Sequence, residues 1–87
     1  MAEIDFSPVW KVRVKVFVNG VLANTYFKPD TPQPKLEATE RMVNMGRAFN
    51  VDDGLDLKDW SDSPRGLTYQ GTLTGDTVRR EMTVVQV

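Results

Sequence analysis

Val9–Phe27 reads VWKVRVKVFVNGVLANTYF, and its alternation decides the fold. From Trp10 to Val18 the even positions are Trp10, Val12, Val14, Val16 and Val18. The odd positions are Lys11, Arg13, Lys15 and Phe17. A period of two marks a strand with one face buried and one face wet. Asn19-Gly20 then stands between apolar flanks, and both residues tolerate the positive φ that a two-residue type I′ turn requires. Such a turn fixes register. It pairs Val18 with Val21, Val16 with Ala23, Val14 with Thr25 and Val12 with Phe27 on the buried face. On the other face it pairs Phe17 with Leu22, Lys15 with Asn24, Arg13 with Tyr26 and Lys11 with Lys28. The hairpin spans residues 9–28.

The next stretch, KPDTPQPK, holds Pro29, Pro32 and Pro34, which cannot donate to a ladder, so the strand is expected to end at Lys28. Asp30 or Thr31 can cap a helix, with Pro32 near its first position. Helical spacing over residues 34–49 gathers Leu36, Ala38, Thr39, Met42, Val43, Met45, Gly46 and Phe49 on one half of a wheel. Glu37, Glu40, Arg41, Asn44 and Arg47 fall on the other. Residues 50–66 carry Asp52, Asp53, Asp56, Asp59 and Asp62 with Gly54 and Ser63-Pro64 as breakers, and are expected to be a long acidic loop with a helical turn around Leu55–Trp60. Residues 67–87 alternate again. Gly75-Asp76 is the expected turn, pairing Leu73 with Val78, Tyr69 with Met82 and Leu67 with Val84 inside, and leaving Gly71 opposite Arg80 as an exit for the arginine stem.

The order is hairpin, helix, loop, hairpin. The economical packing is α+β: one four-stranded antiparallel sheet, ββαββ, with a helix on its valine face, all in a single domain covering residues 1–87. The chain has 87 residues, a net charge of −1 and 40% hydrophobic residues, which suits a soluble globular protein. It has no cysteine and no histidine. That removes disulfides, most transition-metal sites, and Ser–His or Cys–His nucleophile pairs. No cofactor is expected. The first residues, MAEIDFSP, lack the basic start of a secretory signal, and no apolar run approaches a membrane span, so a cytoplasmic protein is expected.

Two surfaces carry the functional expectation. The first is the acidic segment, where Asp53, Asp56, Asp59 and Asp62 would rim Trp60 as a partner-binding anchor. The alternative role for Trp60 is to cap the core beside Leu55 and Leu57. The aspartate spacing does not match an EF-hand loop. The second surface is the wet face of the first hairpin, where Lys11, Arg13, Lys15 and Lys28 stand beside Phe17 and Tyr26. Cations beside aromatics on a sheet suit single-stranded nucleic acid, but an acidic chain does not. Phe17, Leu22, Val85 and Val87 add apolar surface, so a homodimer through a sheet edge or through Phe17 and Leu22 is a further expectation. Charge separated into a basic hairpin and an acidic segment favours oriented docking on another protein. The expected function is therefore non-enzymatic protein binding, as an inhibitor, adaptor or accessory factor of a kind that would suit a phage or mobile element. Nucleic-acid binding through the sheet face is the alternative.

Overall fold

A computed structural model describes residues 8–61 and 66–87, with the backbone alone described for Asp59, Trp60 and Ser61. It is α+β, with one helix and one antiparallel sheet of five strands. The elements are β1 (Trp10–Val18), β2 (Val21–Gln33), α1 (Lys35–Asp53), β3 (Asp56–Ser61), β4 (Gly66–Leu73) and β5 (Asp76–Gln86), and the sheet order is β2-β1-β5-β4-β3. Hairpin β1–β2 and meander β3–β4–β5 are thus joined where β1 pairs with β5. α1 carries the chain from one sheet edge to the other. At about 1.5 Å per residue its 19 residues reach about 28 Å, enough to cross five strands spaced about 4.8 Å apart.

The Asn19-Gly20 turn forms with φ of 51° and 83°. Its asparagine also clamps the start of β5: Asn19 Nδ2 donates to Asp76 Oδ1 and the Thr77 N–H donates to Asn19 Oδ1, each at 3.0 Å. Val18↔Val21 and Phe17↔Leu22 pair as the turn dictates, but a bulge at Ala23 then advances β2 by one residue. Beyond it Val16 pairs with Asn24, Lys15 with Thr25, Val14 with Tyr26, Arg13 with Phe27 and Val12 with Lys28. One extra residue exchanges the two faces of a strand. Tyr26 therefore packs against the core and Phe27 takes the opposite face.

β2 also runs past its prolines. Pro29 follows a cis peptide from Lys28, and the ladder resumes at Trp10↔Gln33. Pro29 and Pro32 fall in the unpaired interval between Val12↔Lys28 and Trp10↔Gln33, on an edge strand, so their missing N–H groups break no bond. Asp30 and Thr31 consequently cap nothing. The helix starts after Pro34, whose carbonyl accepts from the Ala38 N–H at 3.0 Å.

α1 buries Ala38, Met42 and Gly46, with Met45 and Phe49 packed against the core. Leu36 and Val43, expected inside, are exposed. At Gly46 an added Cβ would lie 2.5 Å from Tyr69 Cε2, so the missing side chain lets the Tyr69 ring reach the helix backbone. The helix runs four residues past its expected end and stops at Gly54, whose φ of 68° is the left-handed cap that glycine adopts readily. Leu55, fully buried, drops into the core directly after it. Among its described residues the expected loop 50–66, with its helical turn around Leu55–Trp60, is instead a helix end followed by an edge strand, β3, which pairs with β4 and makes the sheet five-stranded, not four-stranded.

In the last hairpin the turn residues are Thr74 and Gly75, with φ of 48° and 87°, not Gly75-Asp76. Pairing slips by two: Leu67↔Met82, Tyr69↔Arg80, Gly71↔Val78 and Leu73↔Asp76. An even slip preserves faces, so the inner residues are those expected. The space over Gly71 is taken by Leu55, whose Cδ2 would lie 3.0 Å from an added Cβ there, and Arg80 leaves by another route. The core joins Val12, Val14, Met42, Leu55, Leu67, Tyr69, Val78 and Met82. Among the described residues no helix is long and apolar enough to cross a membrane.

Candidate functional site

The helix covers one face of the sheet, and no described element covers the other. On that open face β1 presents Lys11, Arg13, Lys15 and Phe17. β5 lies beside it with Val85, Thr83, Glu81 and Arg79 in register. β2 contributes Phe27 opposite Arg13, Thr25 opposite Lys15 and Leu22 opposite Phe17. β4 and β3 continue the face through Gln70, whose Oε1 accepts from Lys58 Nζ at 2.8 Å.

The electrostatics of this face are uneven. Arg79 Nε lies 3.0 Å from Glu81 Oε2, so the acid that stands directly across from Lys15 is already engaged. The Arg79 guanidinium also lies over the Phe17 ring, 4.3 Å from its centroid. Lys11, Arg13 and Lys15 make no ion pair among the described residues, and Arg13 Nε is buried without a hydrogen-bond partner there. Three cations at a spacing of about 7 Å, that of alternate strand residues, thus form an uncompensated row. Leu22 and Phe27, 51% and 42% exposed, flank it with apolar surface.

Tyr26 and Lys28, expected on this face, leave it because of the bulge. Lys28 stands opposite Val12, at a helix-side register position. Tyr26 sits near Arg80 and Asp53. Burial raises its phenol above the ordinary value of 10.0; Arg80 opposes that shift and Asp53 adds to it. Phe27 and Arg79 are the residues that sequence reasoning missed. Nothing in VLANTYF announces the bulge that brings Phe27 over. Arg79 follows the inward Val78 and so alternates onto the wet face, but its place beside Phe17 depends on β5 pairing with β1.

The acidic set is dispersed. Asp53 ends α1 and accepts from Arg80 Nη1 at 2.5 Å. Asp56 opens β3 opposite Gln70, Asp59 is opposite Thr68 and Trp60 opposite Leu67. Asp62 lies outside the described residues, and so do the side chains of Asp59 and Trp60. The described aspartates belong to regular elements, not to one loop around an anchor. Among the described residues no group of acidic side chains is placed to hold a metal ion. No family model matches the chain, and no curated protein or solved structure matches it significantly.

Proposed function

We propose that this chain is a non-enzymatic protein-binding module, an inhibitor, adaptor or accessory factor, that docks through the open face of its sheet onto an acidic protein surface. The observation that carries the reading is the row Lys11, Arg13 and Lys15, free of ion pairs among the described residues and flanked by Leu22, Phe17 and Phe27. Aromatic and apolar residues with arginine are what protein interfaces enrich. Uncompensated cations speed encounter with a partner of opposite charge. The nucleic-acid alternative weakens because successive bases stack on several bare rings. Arg79 lies over Phe17 and Tyr26 packs against the core, which leaves Phe27 as the one exposed ring among the described aromatics of this face.

The test is affinity capture from nuclease-treated lysate with the full chain, followed by affinity measurement on the purified partner. Arg13→Glu with Lys15→Glu should weaken that complex by at least about tenfold, and Phe27→Ala should speed its dissociation. Micromolar binding of a single-stranded oligonucleotide at about 150 mM salt, lost in the double reversal, would put nucleic acid in the partner's place.

A further inference from the structure

We propose that the chain pairs with a second copy of itself along the free edge of β2, over Val21–Phe27. An edge strand offers a row of unpaired backbone N–H and C=O groups, and soluble proteins guard such edges with charge, proline, bulges or short length. The two edges of this sheet are guarded very differently. β3 has six residues, carries Asp56, Lys58 and Asp59, and is bulged at Lys58. The far half of β2 carries Lys28, Pro29, Asp30 and Pro32 and leaves the ladder. Its near half, VLANTYF, has no charge, no proline and no glycine. Val21, Leu22 and Phe27 are 69%, 51% and 42% exposed along it. Among the described residues nothing pairs with that side of the strand. The bulge at Ala23 bends one end, while Asn24–Phe27 runs regularly against β1.

The neutrality of the segment selects the occupant. A strand recognised by a charged partner would carry complementary charge, and this one carries none. Laid antiparallel on itself about a two-fold axis, it brings no like charges together, because Lys28 lies beyond its end. The same operation at β3 would bring the charged residues Asp56, Lys58 and Asp59 into the seam. A two-fold axis normal to the sheet keeps both helices on one side, giving a continuous ten-stranded sheet with both open faces on the other. Tyr26 and Phe27 then supply cross-strand contacts on the two faces. Leu22 and Phe27 border both this edge and the cationic row, but the edge pairs through backbone groups of β2, so the isolated chain reports the pairing whatever the open face binds.

Sedimentation of the isolated full chain from about 1 to about 300 μM tests it. The expected mass rises from one chain to two and stops there. Thr25→Glu sits opposite Lys15, which suits the monomer, but sets two carboxylates close across the dimer axis; it should raise the dimer dissociation constant by at least about tenfold. Leu57→Glu on β3 should leave it unchanged. In the unaltered chain, amide exchange over Val21–Phe27 should slow as concentration rises, which reads the edge without any substitution. A one-chain mass throughout, growth beyond two chains, or dissociation by Leu57→Glu and not by Thr25→Glu would overturn the proposal.

Discussion

Arg80 Nη1 donates to Asp53 Oδ2 at 2.5 Å, tying the last residue of α1 to the middle of β5. The two side chains are 19% and 36% exposed, and the guanidinium lies over the Phe49 ring, 4.5 Å from its centroid. Arg80→Met keeps the stem and removes the charge. It should cost about 1–2 kcal/mol in urea unfolding, between the worth of an exposed pair and that of a charged hydrogen bond. Combined with Asp53→Asn, the double-mutant cycle should show a coupling of about 0.5–1 kcal/mol. Independent effects of the two substitutions would mean that the contact adds nothing.

Gly46 gives a test of opposite sign to the usual one. Replacing an interior helix glycine with alanine ordinarily gains about 0.5–1 kcal/mol. Here the new methyl meets the Tyr69 ring, so Gly46→Ala should instead lose about 1–3 kcal/mol. In a Tyr69→Val background the same change should become neutral or stabilising. A gain in the unaltered background would show that the ring does not rest on the helix there.

Tyr26 makes stability depend on alkaline pH. Its folded pKa is raised above 10.0, first by burial. Between the unfolded and folded values the native state keeps a proton that the unfolded chain loses. The stabilisation is therefore complete below about pH 10 and is lost as pH climbs through the folded value. Unfolding midpoints measured across that range should fall less steeply for Tyr26→Phe than for the parent, and equal slopes would place the phenol in water.

Deleting Ala23 removes the extra residue of the bulge, so the turn leads straight into the observed pairs Val16↔Asn24 and Val14↔Tyr26, with Tyr26 still inward and Phe27 still outward. The deletion should therefore keep the tyrosine's core contacts and change stability in urea by less than about 1 kcal/mol. Tyrosine fluorescence should report an equally buried ring. A loss above about 2 kcal/mol with a wetter ring would mean that the bulge itself holds Tyr26 inside.

Much of this arrangement was legible because a pattern of period two survives any even error. The last hairpin was expected with its turn one residue late, yet Leu67, Tyr69, Val78 and Met82 stayed inside because the slip was two. The first hairpin failed by one, and one is the slip that alternation cannot absorb. VLANTYF has small or apolar residues on both faces, so neither register was penalised by the sequence. β3 escaped notice because its acids and its single lysine resemble a solvated loop; they are tolerated there because β3 is an edge strand. Gly54 is a helix-end signal standing where the helix ends, but between Asp53 and Leu55 it reads equally as a breaker inside a loop. The cationic row was visible in the sequence. Its freedom from ion pairs among the described residues was not, since Arg79 reaches Glu81 and Phe17 only once β5 lies beside β1.

The pairing of β1 with β5 joins segments at opposite ends of the described chain, with Lys11 beside Val85 and Val18 beside Val78. During synthesis the valine strand and its hairpin leave the ribosome long before the strand that completes their other flank. For that interval the valine hairpin has only β2 and α1 to lean on, and the largest step in contact order comes last. Folding should therefore be slow for so small a domain and commit in a single event when β5 arrives. The nascent hairpin spends that wait with both its edges open, which makes it the species most exposed to aggregation and the one a chaperone would meet.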